Sequence, residues 1–144
     1  MARVEVSRLI AAPVAGVWAD LAALESHVEW MADAERITFL TAQRRGVGTR
    51  LEVATRIGPF RLADVMEFVA WDPPNRMAIH HVGLVTGSGE FVLEEEGGAT
   101  RFTWREELRF PWYLGGRLGA LVGARVLTVV WRRNLDRLAG RFPS

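Results

Sequence analysis

Hydrophobic and polar positions alternate through most of the chain, and the period becomes helical in two places. VEVSRLIAA, residues 4–12, alternates as a strand that Ala12-Pro13 ends; Pro13 suits the first turn of a helix, where its missing N–H would have been unpaired anyway. VAGVWADLAAL continues as a helix with Val14, Val17, Trp18 and Leu21 on its buried stripe, and ESHVEWM predicts a second, short helix ending at about residues 30–33. Alternation then resumes. ERITFLTAQ and GTRLEVATRI are strands joined by the turn RRGVG, and Gly58-Pro59 turns the chain into the long strand FRLADVMEFVAW. The breaker run DPPN at 72–75 closes that strand, because proline cannot sit in a strand interior. RMAIHHVGL, SGEFVLEEE and ATRFTWREELRF give three more strands, with a hairpin turn at EEGG. From about residue 113 to 140 the pattern is helical again. Leu127, Trp131, Leu135 and Leu138 form its stripe, which Leu114, Leu118 and Leu121 extend backwards. One strand, two short helices, six strands and a long helix make an α+β chain: an antiparallel sheet with one face covered by the long amphipathic helix.

The alternation also sorts each strand into faces. Phe102, Trp104 and Glu106 point one way, toward the interior, and the neighbouring strands add Phe91 and Leu93, then Met77, Ile79 and His81. On residues 60–71 the face with Phe60, Leu62, Asp64, Met66 and Phe68 buries more apolar area than its opposite, which carries Arg61 and Glu67. Glu90, Glu94 and Arg101 are left to water. Such a wall, apolar with a few polar points, has the composition of a small-ligand pocket; a solid core is the competing reading for Met66, Phe68 and Phe91. Glu106 is the informative residue. A charged carboxylate buried without partners costs several kcal/mol, so it must be hydrogen-bonded, ion-paired, protonated or open to a wet cavity. Arg125 on the long helix is the candidate partner, with His81 and Asp64 as the other options. Functionally, Glu106 and His81 would anchor a ligand carbonyl or hydroxyl, or act on it as an acid/base pair. The bland alternative puts Glu106 at the cavity mouth, solvated.

Composition narrows the remaining classes. A chain of 144 residues, 49% hydrophobic, fits one domain over 1–144 with a substantial core. The net charge is +1, and the 18 basic residues, all arginine, are scattered, which argues against a nucleic-acid partner. No cysteine is available for a disulfide, a thiolate metal site or a nucleophile. With no signal-like start and no run approaching ~20 apolar residues, a cytoplasmic location without a stable membrane anchor is expected. No cofactor or metal is expected either. His80 and His81, adjacent on a strand, point to opposite faces, and His27 with Glu29 reads as a solvated short helix. Ser7, Ser26 and Ser88 lack the context of an activated nucleophile, and GSG at 87–89 leads into a strand, so it reads as a bulge or a sheet edge. Gly115, Gly116, Gly119 and Gly123 weaken the start of the long helix, either as a pliable gate or to allow close packing. Trp112 and Tyr113 just before them would cap an entrance or mark an interface, and a homodimer stays open.

Particular residues carry a family likeness. IAAPVAGVWADL at 10–21, Trp30, GVGTR at 46–50, WDPPNR at 71–76 and GGATRFTW at 97–104 occur in an order that resembles the START-like superfamily, more narrowly its polyketide cyclase/dehydrase and lipid-transport branch. The resemblance covers about 1–140. It implies a helix-grip fold, in which a strongly curved seven-stranded antiparallel sheet wraps the C-terminal helix around a deep hydrophobic cavity. It also implies a hydrophobic small-molecule partner of polyketide or lipid type. The expected ligand-binding set is then Glu106, Trp104, Phe102, His81, Ile79, Met66, Phe68, Phe91 and Arg125, with Glu106 and His81 as the catalytic candidates. Aromatase/cyclases of this superfamily use a cavity arginine on the strand before the DPP-like turn. Here Phe68 or Ala70 stands at that place, which weakens the case for cyclase chemistry. Simple binding therefore leads, a cyclase/dehydratase with Glu106 and His81 follows, and a toxin-like or quinone-binding interaction module is the third reading.

Overall fold

A computed structural model describes residues 2–143. Seven strands form one antiparallel sheet in the order β1-β7-β6-β5-β4-β3-β2. They are β1 (Ala2–Ile10), β2 (Ala34–Phe39), β3 (Arg50–Ile57), β4 (Phe60–Asp72), β5 (Arg76–Val82), β6 (Thr86–Glu96) and β7 (Ala99–Arg109). Helix α1 (Val14–Ala22) and a 3₁₀ helix (Leu24–Glu29) follow β1, and α2 (Gly116–Gly140) closes the chain. This is the helix-grip arrangement, α+β, with the curled sheet packed around the long C-terminal helix. Neighbours in sequence are neighbours in the sheet except for β1, which crosses to pair with β7. Alternation sets that register: Val4, Val6 and Ile10 are buried while Glu5, Ser7 and Leu9 are exposed. The Thr100 hydroxyl, fully buried, donates to the Ala12 carbonyl and pins the corner between β1 and α1. Pro13 stands at the N-cap of α1, one residue before the helix begins.

Helix α2 is held over the sheet by polar contacts as well as by its apolar stripe. Asn134, fully buried, donates through Nδ2 to Asp33 at 2.7 Å and accepts the Ala32 N–H at 3.0 Å, while Trp131 Nε1 donates to Asp33 at 3.1 Å. The Trp131 ring stacks on Trp104 with centroids 4.2 Å apart, so the helix is referenced to β7 as well as to the loop before β2. Leu127, Trp131, Leu135 and Leu138 are buried as expected. The backward extension of that stripe is wrong: Leu114, Leu118 and Leu121 are exposed, Leu118 at 71%, and Ala120 takes the buried position instead. Each helical residue advances about 100°, so Leu118, nine positions before Leu127, falls on the opposite side of the helix. Among the glycines at the helix start, Gly119 is required by close packing, since a Cβ there would sit 2.0 Å from the Leu114 carbonyl oxygen. Trp112 and Tyr113 are exposed beside it. No helix among the described residues is long and apolar enough to cross a membrane.

Candidate functional site

A cavity of about 160 Å³ lies between the concave face of the sheet and α2. Every strand but β1 contributes to its wall, with Leu51 and Val53 from β3, Met66 and Phe68 from β4, Met77 and Ile79 from β5, Phe91 from β6, Trp104 from β7, and Leu127 and Trp131 from α2 as its roof. Phe60, expected on the inward face of β4, is instead exposed at the end of the β3–β4 hairpin, where it pairs with Ile57 across the turn. Phe102, expected in the ligand-binding set, is fully buried but packs into the solid core against Phe91 and does not reach the cavity. Arg125 is exposed on α2, away from the cavity and from Glu106. It follows Leu121 and Val122 on the outward side of the helix, for the same angular reason that exposes Leu118.

In place of Arg125, Glu106 meets His81. The His81 ring lies between two carboxylates: Nδ1–H donates to Asp64 at 2.9 and 3.1 Å, and Nε2–H donates to Glu106 Oε1. Trp104 Nε1–H donates to the second Glu106 oxygen at 2.8 Å. Glu106 is thus buried and fully partnered, neither solvated at a mouth nor left bare. Burial alone would lower the His81 pKa, but the hydrogen bonds to Asp64 and Glu106 and the charges of both carboxylates outweigh it and raise the pKa from 6.5 to about 10. At neutral pH the cluster is an imidazolium held between two acids. Both ring nitrogens face carboxylates, Nδ1 toward Asp64 and Nε2 toward Glu106.

The sheet register explains how these side chains meet. Met66 pairs with His81 across β4 and β5, so Asp64, two residues along on the same face, is its diagonal neighbour. Glu106 is on β7, and β6 runs between it and His81. Adjacent strands are about 4.8 Å apart, so His81 and Glu106 must reach toward each other over β6. The β6 residue opposite Glu106 is Gly89, and a Cβ there would lie 2.7 Å from the Glu106 carboxylate. The GSG segment is therefore neither an edge nor a bulge. Its residues pair with β5 on one side and β7 on the other, and Gly89 leaves open the space through which His81 and Glu106 touch.

A second histidine lines the cavity, and the sequence reading missed it. His27 is buried, not solvated, and its Nε2–H donates to the Leu21 carbonyl at 2.8 Å. Its pKa is pushed down, chiefly by burial and against the hydrogen bond to Leu21, so it is a neutral imidazole. The signal was present. Leu24, His27 and Trp30 recur every third residue and are all buried, the spacing that stacks side chains on one face of a 3₁₀ helix.

The amino-acid sequence matches the family described as polyketide cyclase / dehydrase and lipid transport over residues 1–143. No curated protein matches it by sequence. Among solved structures, a protein of Thermus thermophilus superposes with TM-score 0.83 at 22% identity, covering 97% of this chain and 96% of that one. The Zhui aromatase/cyclase from Streptomyces sp. R1128 gives TM-score 0.76 at 17% identity, covering 96% and 92%. A START superfamily protein from Mycobacterium smegmatis gives 0.74 at 11% identity, covering 97% and 96%. At these identities the likeness is one of fold. Family and fold together suit a polyketide cyclase/dehydrase or a binder of lipids and other hydrophobic ligands. The chain belongs to the polyketide cyclase/dehydrase and lipid transport family.

Proposed function

We propose that the protein binds an apolar small molecule of polyketide or lipid type in the cavity between the sheet and α2, with the Asp64–His81–Glu106 cluster as its polar anchor. The observation behind this reading is the position of that cluster: three ionisable groups together on a largely apolar wall, held by hydrogen bonds to one another and to Trp104. Burying charge is costly even when it is paired, so a cluster of this kind is more than packing. The cavity also weighs against a pure interaction module, for which a solid core would serve as well.

Acid/base catalysis of the cyclase or dehydratase type is the second reading, favoured by the direct meeting of Glu106 with His81. Against it stand Phe68 or Ala70 at the place where the family resemblance implies an arginine in aromatase/cyclases, and the commitment of both His81 nitrogens to carboxylates. Native mass spectrometry of the purified protein should find a copurifying apolar compound, and Glu106→Gln should weaken its binding about tenfold while circular dichroism and the melting temperature show the fold intact. An unchanged affinity in a folded Glu106→Gln protein would remove Glu106 from the anchor. Conversion of the captured compound by the wild type but not by Glu106→Gln would replace binding with catalysis.

A further inference from the structure

We propose that the cavity selects ligands bearing a neutral hydrogen-bond donor, a hydroxyl or phenol, and excludes ligands that carry a carboxylate or phosphate into it. This selectivity rests on the binding role proposed above and adds the chemistry of the ligand's polar end.

Donors and acceptors around the cavity are unequally matched. Three acids turn their carboxyl groups toward it, Asp33, Asp64 and Glu106, and no arginine lines it, in a chain without lysine; Glu90, also in the wall, turns its carboxylate to Arg76 and Arg105 on the convex face. The N–H donors of the wall are already committed: Trp104 to Glu106, Trp131 to Asp33, His27 to the Leu21 carbonyl, and His81 to the two carboxylates beside it. The Thr55 hydroxyl is the remaining side-chain donor on the wall, and a hydroxyl is weak compensation for an anion. Acceptors, by contrast, are in surplus. Both Glu106 oxygens already accept, one from His81 and one from Trp104, and that side chain is 7% exposed. Asp64 shares its two oxygens around a single His81 nitrogen and its side chain is 14% exposed, so Asp64 keeps free lone pairs and is the more open of the two. A ligand O–H donating to Asp64 would complete the cluster with a charge-assisted bond. A ligand anion would lose its water beside two carboxylates while His81, the one cationic side chain on the wall among the described residues, is enclosed by them. The volume, about 160 Å³, suits a single ring with a short chain; an engineered apolar cavity of about 150 Å³ takes up benzene.

The experiment uses three compounds that differ at one end: para-propylphenol, para-propylanisole and para-propylbenzoate. The affinity of each is measured at about pH 7 by isothermal titration calorimetry, with uncharged propylbenzene as the purely apolar reference. The phenol should bind about tenfold more tightly than the anisole, whose ether only accepts, and at least about a hundredfold more tightly than the benzoate. Asp64→Asn, which removes one charge and adds an N–H₂ donor, should narrow the gap between phenol and benzoate. Anisole equal to phenol, or benzoate as good as phenol, in wild-type protein that binds propylbenzene would overturn the selectivity and leave the binding role standing. Failure of propylbenzene and all three compounds to bind would overturn both. The wild-type comparison decides the matter even if Asp64→Asn does not fold.

Discussion

His27 and His81 are both buried, both line the same cavity, and their protons are held in opposite ways. His81 on β5 has carboxylates on both ring nitrogens, and its pKa rises to about 10. His27 on the 3₁₀ helix has one backbone carbonyl, packs against Trp30 and Phe91, and is pushed toward the neutral form. The charges of Asp20 and Glu25 favour protonation of His27 and that of Arg141 opposes it, but desolvation prevails. Desolvation acts on both rings. What separates them is the nearest acceptor: an anion stabilises a buried proton, and a neutral carbonyl orients the ring without charging it. One cavity therefore has a charged wall and a neutral wall, although each is supplied by the same amino acid.

The hardest way to break this contrast is to take an acid from the charged wall. Glu106→Ala leaves the Trp104 N–H without its acceptor and His81 with one carboxylate, and it should cost about 3 kcal/mol in urea unfolding. A loss below ~1 kcal/mol would mean that the cluster is far better hydrated than its burial indicates. A smaller effect separates the two histidines by pH. His81 binds its proton more tightly when folded, so its contribution to stability is complete below about pH 6.5 and is lost as pH rises toward about 10. For His27 the sign reverses: its folded pKa lies below the unfolded 6.5, so its contribution is complete above that value and declines as pH falls below it. Urea midpoints measured across both ranges should fall at each end, and His81→Gln should flatten the alkaline arm while leaving the acidic arm in place. The smallest effect is on the other side of the same strands. Arg105 on the convex face bridges Glu5 and Glu90, and Arg76 also pairs with Glu90, all at partly exposed positions. Arg105→Ala should cost no more than about 1 kcal/mol and lose even that in high salt, because water competes for these charges as it cannot for Glu106.

Much of this was legible in the chain because the strands obey a period of two. Alternation, with buried apolar area deciding the face of residues 60–71, put Trp104 and Glu106, Ile79 and His81, and Asp64, Met66 and Phe68 on the concave face, and the structure sets all seven on the cavity wall. The misreadings have local causes. Continuing the stripe of α2 without tracking its angle places Leu118, Leu121 and Arg125 on the inner side, but that angle drifts half a turn between Leu118 and Leu127. His27 was lost because a six-residue 3₁₀ helix keeps a period of three, too short a stretch to stand out against the α-helical pattern before it. Phe102 illustrates a limit of another kind. Facing inward is a matter of alternation, but whether an inward side chain meets a ligand or another side chain depends on how far the sheet curves there. The choice of His81 over Arg125 as the partner of Glu106 also lay beyond the sequence, since strand order and register decide which inward groups are neighbours.

Gly89 has a consequence for recognising this site in other sequences of the same fold. A search for functional groups would record the acid on β7 and the histidine on β5 and pass over the strand between them. Yet any larger side chain opposite Glu106 on β6 would fill the space in which acid and histidine touch. The signature of the buried cluster is therefore three coupled positions, one of them defined by the side chain it must lack. A relative with the glutamate and the histidine but a bulky residue in place of Gly89 has the parts of this anchor without the means to assemble it.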